Sequence, residues 1–110
     1  MAELTQQHCE PCRVGAPTVP RAEQQALLST LIGWQIVDKK SVQQLLKVYD
    51  FADFLSALEF ANKVAELAEA EGHHPALLIE WGRVTVRWWT HKIKGLHQND
   101  FLMAAKTDAL

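Results

Sequence analysis

Cysteine, glycine and proline are scarce: the 110 residues include two, five and four of them. Cys9 and Cys12 form a single C-x-x-C beside His8. One pair cannot make a disulfide framework, and a structural zinc site ordinarily draws four ligands, often from two such pairs. A thioredoxin-like redox motif wants a strand before the pair and a helix after it, which the Pro- and Gly-bearing stretch running to Pro20 does not suggest. Cys9 and Cys12 are therefore assigned no catalytic role, and residues 1–20 are read as a flexible N-terminal segment. Charge of one sign is also lacking. With a formal net charge of -2, the basic footprint of a nucleic-acid binder is missing. No apolar run approaches the roughly 20 residues that a membrane helix needs, and the opening MAELTQQHCEPC has no basic flank ahead of an apolar stretch. The expectation is a cytoplasmic protein with no direct nucleic-acid contact and no membrane contact.

What the chain does hold is 48% hydrophobic and 22% charged residues, the balance of one globular domain with one core, assigned to residues 21–110. RAEQQALLSTLIGW puts Ala26, Leu27, Thr30 and Leu31 at helical spacing and predicts a first helix closed by Gly33. WQIVD predicts a strand, KKS a turn and VQQLLKVYDF a longer alternating strand, together an antiparallel hairpin. From Asp53 to Ala70, Phe54, Leu58, Ala61, Val64, Ala65 and Ala68 recur at i, i+3, i+4 and i+7, and Gly72 ends this helix. ALLIEW and VTVRWWTH flank Trp81-Gly82-Arg83, where the glycine marks a tight hairpin. In the second of these strands Val84, Val86 and Trp88 face one way and Thr85, Arg87, Trp89 and His91 the other, leaving His91 at the strand's end. HQNDFLMAAKTDAL predicts a last helix with Phe101, Leu102 and Ala105 on its apolar side. Asp100 falls in its first turn, at the positive end of the helix dipole.

The predicted order is α-β-β-α-β-β-α. Two hairpins separated by a long helix favour a single α+β domain, in which one four-stranded antiparallel sheet carries three helices on one face. A partner subunit would then cover part of the other face or the sheet edge, rich in β-forming residues over LLIEWGRVTVRWW, and leave the histidines open to solvent. At least a homodimer is expected, and light scattering of dilute protein tests it.

Glu69, His73, His74, His91 and Asp100 fall at element ends that a hairpin closing over a helix terminus can bring together. Taken singly, Glu69 suits a solvated helix residue, Asp100 a helix-start acid and His91 a surface strand-end residue or a hydrogen-bonded packing residue. His73 and His74 are harder to set aside, because Pro75 restricts His74 to extended backbone and places the pair at a bend. Groups that titrate near neutrality, gathered there, suit general acid and base chemistry. The histidines with a carboxylate would also make a zinc set, but consecutive ligands fit a tetrahedral site poorly, and no metal is assigned. His8 and His97 receive no role and are expected at the surface.

Glu69-x-x-x-His73-His74-Pro75, then Trp81, His91 and Asp100 at these separations, resembles the signature of the pterin-4a-carbinolamine dehydratases. WWTHKIKGL, NDFLMAA and HCEPC resemble bacterial members, and the likeness in element order covers nearly everything after Pro20. Two positions depart from the pattern. Leu77 stands where animal forms carry a tryptophan in the pocket wall, and His97 where many members cap the last helix with serine or threonine.

The resemblance implies a 4a-hydroxytetrahydrobiopterin dehydratase, which removes water from a 4a-hydroxytetrahydropterin to give the quinonoid dihydropterin. It implies a functional link to an aromatic amino-acid hydroxylase, whose pterin is recycled, and to a dihydropteridine reductase that takes the product. It also implies dimers that pair into a homotetramer. The pterin is the substrate, so no cofactor is expected. An acid must protonate the leaving oxygen and a base must accept the N5 proton. His73, His74 and His91 are expected to line one pocket and share these roles, with His74 the more critical. Glu69 and Asp100 are expected to support them, by favouring a protonated imidazole and fixing its tautomer or by bonding the amide-like edge of the pterin. A second class of role implied by the family is a non-catalytic binding module or dimerisation cofactor affecting transcription. Protection of the histidines from chemical modification by a pterin analogue separates the two.

Overall fold

The computed structural model describes residues 4–6 and 17–110; His8, Cys9 and Cys12 lie outside the described residues. After a 3-10 turn at Leu4–Gln6 come α1 (Arg21–Leu28), β1 (Gln35–Lys39), β2 (Val42–Asp50), α2 (Phe54–Glu71), β3 (Ala76–Glu80) and β4 (Arg83–Trp88). A second 3-10 turn at His91–Ile93 leads to α3 (Gln98–Asp108). The order and the single antiparallel sheet are those expected, and the strands lie side by side as β1-β2-β4-β3. The last strand is thus interior. Of the stretch LLIEWGRVTVRWW, only the β3 half forms an edge, because β4 is hydrogen-bonded on both sides.

Turn chemistry fixes the two hairpins. Lys40 and Ser41 adopt φ 53° and 67° between β1 and β2, the conformation that a tight hairpin demands. Gly82 adopts φ 69°, and a Cβ there would meet the Phe51 carbonyl oxygen at 3.0 Å, so glycine is required at this turn on both counts. Ahead of α2, the Asp53 side chain accepts from the Ser56 N–H at 2.7 Å, which caps the helix and holds that carboxyl below its ordinary range.

The helices differ from the sequence pattern in three respects. Helix α1 ends at Leu28, well before Gly33, where the Ser29 and Thr30 hydroxyls bond the Ala26 and Leu27 carbonyls and side chains compete with the helical ladder. Helix α2 turns Ala57, Ala61, Val64 and Ala68 inward while Phe54 and Ala65 remain exposed. Its small residues let the backbone sit close to the sheet, a preference that hydrophobic spacing does not reveal. Helix α3 buries Phe101, Leu102, Met103 and Ala104 together, not one stripe, because it lies between the sheet and the Leu4–Gln6 turn. Packing also begins ahead of residue 21: Val19 is in the core and its N–H bonds the Leu96 carbonyl at 2.9 Å.

Leu45, Val84, Val86 and Trp88 on the helix-covered face are fully buried. At its C-terminus α3 is fastened to the sheet by Asp108, which accepts from Trp34 Nε1 at 3.0 Å, from Lys47 Nζ at 2.9 Å and from the Tyr49 hydroxyl. Burial, and then the Asp108 bond and charge, push the Tyr49 hydroxyl far above the ordinary phenol range. A raised folded-state value gives a stability contribution that is full below the unfolded phenol value of about 10 and is lost as pH rises beyond it. Tyr49 is the only tyrosine. Tyrosinate absorbance should therefore appear only as the chain unfolds in alkali, and a phenol titrating normally in the intact fold would contradict this. Among the described residues no helix is long and apolar enough to cross a membrane.

Candidate active site

At the end of α2, Gly72 takes the left-handed conformation and both its N–H and that of His73 point at the Ala68 carbonyl. This closure swings His73 inward. Only 8% exposed, its ring stacks 5.8 Å from that of Trp88 with 10° between planes, and its Nε2 lies 2.6 Å from Asp100 Oδ1. Asp100 is wholly buried. Its second oxygen accepts from Thr90 Oγ1 and from the His97 N–H, each at 2.8 Å. An ionised carboxylate only accepts, so all three contacts are satisfied when His73 carries its proton on Nε2. Nδ1 of His73 is then the nitrogen without a proton, and it has no hydrogen-bond partner among the described residues.

Asp100 is held by the start of α3. His97 is the N-cap: its Nδ1 accepts from the Asn99 N–H at 3.0 Å, and the Asp100 carboxylate returns to the His97 N–H. Contrary to expectation, His97 is half-buried and has a structural role, because imidazole Nδ1 supplies the acceptor that a serine or threonine hydroxyl would.

Adjacent residues in extended backbone point to opposite sides, and His74 accordingly turns away from His73. Its Nε2 lies 2.6 Å from Glu69 Oε2 on the last turn of α2, with the two side chains 60% and 79% exposed. So open a pair adds at most about 1 kcal/mol to stability, and it leaves the His74 ring facing solvent. His91 is not on the strand. It opens the 3-10 turn of a loop closed by Thr90 N–H to Gly95 O at 2.9 Å, and its exposed ring lies 4.4 Å from that of Trp89.

Because Ala76 of β3 stands opposite Arg87 of β4, the residues before β3 and after β4 share one end of the sheet. That end carries His73, His74 and His91, with Asp100 bonded to His73 and Glu69 to His74. The imidazoles make three separate contacts: His73 with α3, His74 with α2 and His91 with Trp89. Among the described residues, none of them bonds or stacks on another. Nor do three or more His, Cys, Asp or Glu side chains group as metal ligands there. Sequence reasoning missed Thr90 and Trp88 as partners of this centre, since nothing local marks a contact made through the fold. The His97-x-x-Asp100 spacing of a capping box was the one usable signal.

The family described as pterin 4 alpha carbinolamine dehydratase matches residues 17–110. Relatives from Marinobacter nauticus and Syntrophotalea carbinolica, each described as "Putative pterin-4-alpha-carbinolamine dehydratase", are both 56% identical over 110 residues. These matches cover 100% of this chain and 99% and 98% of theirs. A crystal structure described as transcriptional coactivator/pterin dehydratase from Brucella melitensis has a TM-score of 0.76 at 30% identity, covering 84% of this chain and 97% of that one. A pterin dehydratase-like protein, a RuBisCO assembly factor in the alpha-carboxysome, shares the fold at a TM-score of 0.59 and 23% identity, over 70% of this chain and 87% of its own. With the histidine and carboxylate bend inside a match that runs to the last residue, the chain belongs to the pterin-4a-carbinolamine dehydratase family.

Proposed function

We propose that this protein is a 4a-hydroxytetrahydropterin dehydratase in which His73, His74 and His91 carry the proton transfers. The C4a–O bond breaks as an imidazolium protonates the departing oxygen, and a neutral imidazole takes the N5 proton as the C4a=N5 bond forms. Water and the quinonoid dihydropterin leave, with no net change of oxidation state. The observation that carries this reading is the buried Asp100 carboxylate with His73 Nε2, Thr90 and His97 around it. It fixes the His73 tautomer and leaves Nδ1 for the substrate. His74, solvent-facing beside Glu69, is the imidazole best placed to exchange its proton between turnovers, which supports giving it the larger share. His91 on the Thr90–Gly95 loop completes the set. Recycling of an aromatic amino-acid hydroxylase's pterin, with a dihydropteridine reductase next in line, is part of the same proposal.

The test is dehydration of freshly generated 4a-hydroxytetrahydropterin by single alanine variants. Each of His73→Ala, His74→Ala and His91→Ala should lower kcat by roughly tenfold to ten-thousandfold. Full activity in all three variants would remove the histidines from the mechanism.

A further inference from the structure

The sheet face turned away from the helices carries a groove of about 250 Å³ whose lining includes Lys39, Gln44, Leu78, Thr85, Arg87 and Trp89. It runs along β4, where Thr85, Arg87 and Trp89 alternate onto this face, with Gln44 of β2 on one side and Ala76 and Leu78 of β3 on the other. Two cations and no carboxylate line it. The strand acids of this face, Asp50 and Glu80, stand opposite Arg83 at the far, hairpin end of β4. Among the described residues Arg87 has no carboxylate partner, and its side chain makes one hydrogen bond, from Nη1 to Gln44 Oε1 at a long 3.4 Å. Gln44 and Thr85 are at most 9% exposed, yet belong to the uncovered face, so polar groups form the floor.

The groove ends at the proposed reaction centre. Trp89 both lines it and meets the His91 ring at 4.4 Å, and Ala76 follows the His73-His74-Pro75 bend directly. In a pterin, N5 is bonded to both C4a and C6. A substrate presenting C4a and N5 to the histidines therefore projects its C6 substituent from an atom adjacent to the reacting edge. Given the function proposed above, we infer that this substituent lies in the groove over β4, and that Arg87 and Lys39 select pterins whose C6 side chain ends in an anionic group. Gln44 and Thr85 supply donors and acceptors for hydroxyls along such a chain, and guanidinium with ammonium meets a terminal phosphate.

Binding of two stable 7,8-dihydropterins that differ only in a terminal phosphate on the C6 side chain tests this without turnover. Calorimetry at low salt should give the phosphorylated ligand about tenfold tighter binding, the worth of one charge-assisted contact. The preference should shrink as salt is raised. Arg87→Gln should bring the ratio close to one, Arg87→Lys should keep part of it, and Lys39→Gln, at an exposed position, should reduce it. Lys63→Gln on the exposed face of α2 should leave it intact. Equal affinity of the native protein for the two ligands, or a preference that survives both Arg87→Gln and Lys39→Gln, overturns the inference. Dehydration assays on the same proteins report separately on the proposed function: a phosphate preference in binding without dehydratase activity would sink that function and leave the groove assignment standing.

Discussion

Asp100→Asn is expected to lower kcat by at least about a hundredfold, although it keeps the number of heavy atoms and nearly the same volume. The amide has one accepting oxygen and one donating nitrogen. If the oxygen stays with the Thr90 hydroxyl and the His97 N–H, the amide N–H points at His73 Nε2, 2.6 Å away in the native protein. His73 must then offer a lone pair there and move its proton to Nδ1, which is the wrong tautomer for the native roles. The opposite rotamer sets two buried donors against the amide nitrogen, an arrangement that costs about 1–3 kcal/mol for each unsatisfied group. Stability should fall by a similar amount, so activity must be measured well below the melting temperature. Ring-nitrogen NMR of His73 gives a readout that mere loosening of the fold would not: the variant should show Nδ1 protonated. A variant that keeps native kcat and Nε2 protonation would refute the role given to Asp100.

Trp88→Ala should give the largest loss of stability, about 3–5 kcal/mol, the range for deleting a large aromatic from a packed interior. At about 4–8 °C per kcal/mol for a domain near this size, the melting temperature should drop by tens of degrees. Trp88 is fully buried, stacks on His73, and donates from Nε1 to Thr107 Oγ1 at 3.1 Å. The Thr107 hydroxyl in turn donates a hydrogen bond to the Met103 carbonyl at 2.6 Å, so the indole also ties β4 to α3. Trp88→Phe separates the contributions: most of the packing survives, the bond to Thr107 is lost, and the cost should be about 1–2 kcal/mol. Differential scanning calorimetry checks both. A melting point for Trp88→Ala within a few degrees of native would mean that this end of the core is far more adaptable than its packing implies.

The element order was legible because it rests on local chemistry. Asp53 caps α2 and Gly72 ends it, Gly82 turns the second hairpin, and period-two alternation sends Val84, Val86 and Trp88 to one side. The positions of Glu69, His73, His74, His91 and Asp100 at element ends were legible for the same reason. Local pattern failed where a residue's environment came from distant chain. Phe54 and Ala65 fit the helical spacing of α2 and are nonetheless exposed, because the inward face is chosen by what lies beneath it. His97 looked like a surface residue until the fold fixed it as the cap of α3.

What this sequence determined by itself is the set of elements, their order, and the placing of three histidines and two carboxylates near element ends, since capping, turn geometry and periodicity act over a few neighbouring residues. The tertiary structure alone decided that β4 lies inside the sheet, that Asp100 meets His73 and Thr90, that Trp88 backs the imidazole, and that Arg87 opens onto the uncovered face. Those contacts join residues far apart in the chain. They form only when burial of the shared core brings β4 and α3 together, and no short-range pattern encodes which side chains then meet.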